Sequence, residues 1–214
     1  MDVLFQNFPY LLKGAVQTVI MSLITVGIGT MLGLVLGFAA VSRLRLLRVA
    51  IDTYIFLIRG IPVLVLMFST YYAFPAMGYR ISNYAAVTVA LALYAGAFYT
   101  DVVRGALLAV PRGQTEAAKS LGFSRTWIIF DILLPQAVRP SIPPWLNTSI
   151  VTVKSTSYAS IVGAWELTYA SKEIVERTLA TFEIFGVVML FYFAICYPLS
   201  LLARHLEKRT VAVI

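Results

Sequence analysis

"GAVQTVIMSLITVGIGTMLGLVLGFAAVS", residues 14–42, is 29 residues without a charge. As a helix it measures about 43 Å, longer than a hydrocarbon core of about 30 Å, so it is expected to cross a bilayer with tilt or overhang. It is too long, and has too small a basic region ahead of it, for a cleaved signal peptide. Gly29, Gly33 and Gly37 recur at four-residue spacing with Gly27 just before them. That leaves one helix face almost bare, so that a neighbouring helix can approach closely. The same letters do not make a dinucleotide loop, because the G-x-G-x-x-G frame opened by Gly27 has Leu32 where its third glycine belongs.

The rest of the chain agrees. Of its 214 residues 60% are hydrophobic and 13% charged, and a mean hydropathy of +0.85 lies outside the soluble range. Apolar runs at about 53–75, 81–103, 140–165 and 184–203 follow the first at 14–42, with Arg59 and Lys154 interrupting the second and fourth. The expectation is an all-α integral membrane protein of about five transmembrane helices, one domain over 1–214. Five spans place the ends on opposite sides. Arg43, Arg45, Arg48, Arg104, Arg112, Lys119, Arg125, Arg139, Arg204, Lys208 and Arg209 collect on one side. The other has Lys13, Arg80, Lys172 and Arg177 among five carboxylates. The basic side is cytoplasmic, which puts the N-terminus outside and the C-terminus inside.

Several classes drop out. The net charge of +7 is dispersed between apolar runs and makes no nucleic-acid-binding patch. With one cysteine, Cys196, and one histidine, His205, the chain offers no disulfide framework, histidine-based metal site or triad. No G-x-x-x-x-G-K-[ST] loop occurs, so ATP would have to be bound by another subunit.

Between the third and fourth spans lies a passage of another kind, "VPRGQTEAAKSLGFS", residues 110–124. Pro111 and Gly113 break the preceding helix, Gln114 or Thr115 can cap a new one, and Glu116 suits its first turn. Ala117 and Ala118 favour helix, Lys119 lies near the end, and Gly122 supplies a left-handed stop, giving a short helix over about 114–122. Ser124 can cap a second piece, Arg125 to Leu133, with Trp127, Ile128 and Ile132 on or near one face and Pro135 after its end. By itself this hairpin is either a surface loop or a knuckle that another protein's cleft accepts.

Glu116-Ala117-Ala118, Gly122 after three more residues, then nine residues and Ile132-Leu133-Leu134-Pro135 match the EAA signature and resemble bacterial ATP-binding-cassette importer permeases. "RGIPVLVLMF" (59–68), "YAGAFYTDVVRGALLAVPRGQTEAAKSLG" (94–122) and "VKSTSYASIVGAWEL" (153–167) extend the resemblance to the polar amino-acid uptake subfamily over most of the chain. The resemblance implies a permease in the bacterial inner membrane, crossing it several times and dimerising with itself or a similar chain. Its coupling helix, Glu116, Ala117, Ala118, Lys119 and Gly122, would sit in a groove of a cytoplasmic ATPase that holds the ATP and Mg²⁺, this chain binding no cofactor. An extracytoplasmic binding protein would deliver the amino acid. Ile61 stands where the family has threonine before Pro62, Leu66 where it has glutamine, and Ser155 where it often has aspartate.

Ionisable groups inside spans cost about 3 kcal/mol and face a partner or a wet cavity. Lys154, about 22 Å up the fourth helix from Arg139, sits among Thr148, Ser149, Thr152, Ser155, Thr156, Ser157 and Ser160. It either meets a substrate carboxylate, or that of Glu166, along the route, or pairs or snorkels within the bundle. Arg59, before Gly60 and Pro62, lines a gate at a bent helix or anchors the helix end on carbonyls or phosphates. Asp101 and Arg104 form a local i, i+3 pair. The competing reading is an ion-gradient-driven transporter or channel, but no carboxylate stands near a span centre to serve it. An intramembrane enzyme lacks a nucleophile and base.

Overall fold

The computed structural model describes the backbone of residues 2–211 and the side chains of 3–209. All regular elements among them are helical: α1 (Asp2–Ala40), α2 (Arg45–Gly60), α3 (Val63–Ala76), α4 (Asn83–Ala109), α5 (Arg112–Ser120) and α6 (Arg125–Trp127). A π-helical stretch (Ile128–Leu133) runs into α7 (Leu134–Ser155), a 3₁₀ stretch (Thr156–Val162) follows, and α8 (Leu167–Thr178) and α9 (Thr181–Val211) complete the chain. Three helical segments are long and apolar enough to cross a membrane, Val3–Ala40, Asn83–Ala109 and Thr181–Arg209, and the bent pair α2 and α3 adds a fourth if taken as one span.

The core is the seam between α1 and α4. A β-carbon on Gly29 would meet Ala95 Cβ at 3.0 Å, one on Gly33 would meet Tyr99 Cβ at 2.3 Å, and one on Gly37 would meet Val103 Cβ at 2.6 Å. Side chains are absent where the backbones touch, as the four-residue spacing implies. Gly27 faces open space. From the other side, Gly96 leaves room for Leu32, which would lie 2.6 Å from a β-carbon there. Outward-facing Leu23, Met31, Val35 and Phe193 stay exposed, as surfaces that meet lipid do.

Several boundaries differ from expectation. Helix α1 begins at Asp2 rather than near residue 14, because Leu11 is buried with Leu167, Ile174 and Ile184. The second run is two helices at 106°. Ile61 takes an extended conformation (φ −98°, ψ 130°), as residues before proline do, and Pro62 starts α3. Pro135 does not stop the hairpin's second helix; it is the second residue of α7, which continues the π-helical stretch without a break. The fourth run is not one helix from 140 to 165, since the α-helix ends at Ser155 and the 3₁₀ stretch ends at Gly163, φ +73°. Pro140, Pro143, Pro144 and the hydroxyl residues also set α7 apart from the three apolar helices.

Candidate functional site

Helix α5 and its C-terminal turn form an exposed knuckle. The helix starts at Arg112, two residues before the expected cap, because Pro111 (φ −54°) is the N-cap, and no side chain caps it. Its end is a Schellman motif: Gly122 N–H donates to Lys119 O (2.9 Å) and Phe123 N–H to Ala118 O (3.1 Å). Gly122 has φ +81°, the left-handed turn that favours glycine. Ala118 is buried against the body, while Glu116, Ala117 and Lys119 are exposed and Leu121 projects at the tip. Ser124 accepts from Trp127 N–H at 3.3 Å, and Phe123 stacks on Trp127 with centroids 3.9 Å apart. Arg125 donates to Val41 O just past the end of α1, so the hairpin is tied to the membrane helices on both flanks.

Between α2 and α4 four charged residues form a chain. Arg59 pairs with Asp101, Asp101 with Arg104 (2.7 Å), and Arg104 with Asp52. The Arg59 guanidinium lies 4.7 Å from the Phe98 centroid. Arg59 therefore braces the bent pair against α4, and among the described residues its guanidinium bonds to no backbone carbonyl. Pro62 stands at the bend as the N-cap of α3. No local sequence signal marks Asp52, because its partner Arg104 lies 52 positions away.

The hydroxyls of α7 largely turn back on their own helix. Ser155 Oγ donates to Val151 O (2.9 Å), Thr156 Oγ1 to Val153 O (2.7 Å) and Ser157 Oγ to Lys154 O (2.8 Å). Ser149, Thr152, Ser155 and Thr156 are buried inside the chain, so the polar stripe packs against the bundle. Lys154 is exposed near Cys196 of α9, and its ammonium makes no hydrogen bond or ion pair among the described residues.

Glu166 does not meet Lys154. It is fully buried as the N-cap of α8, accepting from Thr168 N–H and Tyr169 N–H (2.9 Å each), Tyr192 OH (3.1 Å) and Thr18 Oγ1 (3.2 Å). A carboxylate at a helix N-terminus is favoured by the dipole, and these donors replace the water it loses. Glu173 of α8 accepts from Tyr10 OH (2.5 Å) and Trp165 Nε1–H (3.2 Å). Thr168 and Tyr169 are local to Glu166, but Thr18 and Tyr10 come from the other end of the chain, and no local pattern announces them.

Residues 29–212 match the family described as binding-protein-dependent transport system inner membrane component. The chain is similar to the L-cystine transport system permease protein TcyB of Bacillus subtilis (strain 168), 35% identical over 210 residues covering 97% of this chain and 90% of that one. It is also similar to the glutamine transport system permease protein GlnP of Escherichia coli (strain K12), 34% identical over 203 residues, 94% and 93%. A crystal structure of an amino acid ABC transporter with histidines superposes with a TM-score of 0.89 at 28% identity, covering 96% of both chains.

Proposed function

Since the chain belongs to the family of binding-protein-dependent transport system inner membrane components, we propose that it is the membrane-spanning subunit of an ATP-driven importer of polar amino acids. The relatives carry glutamine or cystine in their names, and both are polar amino acids. The observation that carries the mechanism is the exposed helix Arg112–Ser120 with its Schellman end. A short, rigid, capped helix tied to α1 and α4 transmits force as one body.

Glu116, Ala117, Lys119 and Gly122 form the surface that meets a separate ATP-binding-cassette subunit, while Ala118, buried rather than on that surface, seats the helix against the body. That subunit holds ATP and Mg²⁺ and does the hydrolysis, so this chain is not itself an enzyme. When two ATPase subunits close on ATP, the hairpins of two permease chains move together and the bundles rock between inward- and outward-open states. ATP must favour one of those states for the motion to be driven. An extracytoplasmic binding protein hands over the amino acid on the side of Glu176 and Arg177. The chain lies in the bacterial inner membrane with its N-terminus outside.

Along the route, Arg59 and Pro62 shape the inner end, and the exposed ammonium of Lys154 supplies positive charge that an α-carboxylate can meet. Thr156, Ser157 and Glu166 support the route by holding the end of α7 and the start of α8. An ion-gradient-driven carrier is disfavoured because the relatives are ABC transporter subunits. The test is ATPase activity of the chain in lipid with its ATPase and binding proteins across a panel of amino acids. Stimulation by one polar amino acid, lost in Gly122→Val, is expected. A stable complex that no amino acid stimulates would refute the substrate class.

A further inference from the structure

A cavity of about 390 Å³ opens between the ends of α1 and α4, helix α5 and the π-helical stretch. Arg43, Lys119 and Arg125 line it together with Leu107, Leu108 and Ile129, and no carboxylate is among its lining residues. Its size lies within the range of small-ligand sites. The side chains of Arg43 and Lys119 make no hydrogen bond or ion pair among the described residues. Arg125 gives one guanidinium nitrogen to Val41 O and keeps other N–H donors.

Cations above an apolar wall, at the end of a membrane helix, match a phospholipid, whose charged phosphate sits directly over its chains. Basic pockets between helices on the cytoplasmic side recognise anionic headgroups by this arrangement. We propose that the cavity binds an anionic phospholipid, its phosphate between Arg43, Lys119 and Arg125 and the upper part of its chains against Leu107, Leu108 and Ile129. The site rests on the orientation proposed above, with the hairpin in the cytoplasm. A lipid held there touches α5, α1 and α4 at once and stiffens the joint through which the hairpin moves the bundle. Charge selects the occupant: a zwitterionic lipid adds a cation next to three others, whereas phosphatidylglycerol adds none.

The test uses the purified full chain in detergent, alone and with its ATPase subunits. It is titrated with phosphatidylglycerol, phosphatidylcholine or inorganic phosphate, and adducts are counted by native mass spectrometry. One retained phosphatidylglycerol is expected, with phosphatidylcholine failing to displace it. Arg43→Gln should weaken it about fivefold, the factor one cation near an anionic surface supplies, and Lys208→Gln, outside the cavity, should leave it unchanged. If Arg125→Gln fails to fold through loss of the Val41 contact, Arg43→Gln, which removes no intramolecular bond, still decides. Undiminished binding in Arg43→Gln overturns the site. Displacement by equimolar inorganic phosphate overturns the lipid assignment, and expulsion of lipid by bound ATPase subunits assigns the surface to that partner instead. ATPase association on the same samples separates the two readings. Lipid retained without association refutes the importer reading alone, and association without a lipid adduct refutes this site alone.

Discussion

Gly33 and Tyr99 bring the backbones of α1 and α4 so close that a β-carbon on Gly33 would lie 2.3 Å from Tyr99 Cβ and 2.9 Å from its carbonyl carbon. Because one of the two atoms is backbone, the clash cannot be relieved by a rotamer change. Tyr99 is itself held, its hydroxyl 2.8 Å from Ser149 Oγ on α7, so the contact joins three helices.

Gly33→Ala should therefore destabilise the folded chain by about 1–3 kcal/mol, as overpacking of a filled core does. Gly27→Ala, with nothing within 4 Å of its β-carbon position, should be neutral or slightly stabilising. Thermal unfolding of the two variants in the same detergent checks the contrast. Equal melting temperatures would mean that α1 and α4 do not pack as described.

Glu166→Ala should cost about 1–3 kcal/mol, through loss of the α8 cap and of partners for Thr18 and Tyr192. Glu166→Gln keeps one carbonyl oxygen and should recover part of that stability. If Glu166 serves only as this cap, uptake should follow folded protein in both variants. A Gln variant that is stable yet transports nothing would show that its charge, and not its capping, is what transport needs.

Gly122→Val forces a β-branched residue into the left-handed turn, at a cost of about 1–2 kcal/mol. The expected readout is retained membrane insertion with amino-acid-stimulated ATPase activity lost. Gly113→Ala lies in the same helix, in open space with no positive φ, and should keep coupling intact.

Asp101 sits between two arginines, so Asp101→Asn leaves Arg59 without a carboxylate partner while Arg104 keeps Asp52. Arg59 and Asp101 are 45% and 25% exposed, and pairs this open are worth about 0–1 kcal/mol. Stability should change little while uptake falls, with the exchange Arg59→Asp/Asp101→Arg restoring part of it. A double-mutant cycle on uptake measures the coupling, and strict additivity would deny the pair a role in transport.

Lys154→Met should leave unfolding unchanged, since its ammonium has no partner to lose, and reduce uptake in a variant that assembles and keeps its basal ATPase rate. Normal uptake would remove Lys154 from the route.

What could be read from the residues were the features written in local chemistry. The glycines of residues 29–37 face α4 as their spacing implies, and Gly122 ends α5 in the left-handed turn. Asp101 and Arg104 pair across three residues. Boundaries set by packing were less legible: α1 extends back to Asp2 because Leu11 has a buried place among residues of α8 and α9. The extended Ile61 before Pro62 turned an expected bend into a break of 106°, an angle that proline chemistry alone does not specify.

The sequence by itself determined the class, because uncharged runs, dispersed positive charge and the Glu116-to-Gly122 signature each depend on neighbours a few residues apart. Only the tertiary structure decided which polar groups are exposed. Glu166 and Lys154 look alike as charges beside apolar runs. Glu166 is buried among donors that include Thr18, 148 residues away, while Lys154 stays open. A charge's partner depends on which helices pack together, and distances of that kind are a property of the folded chain.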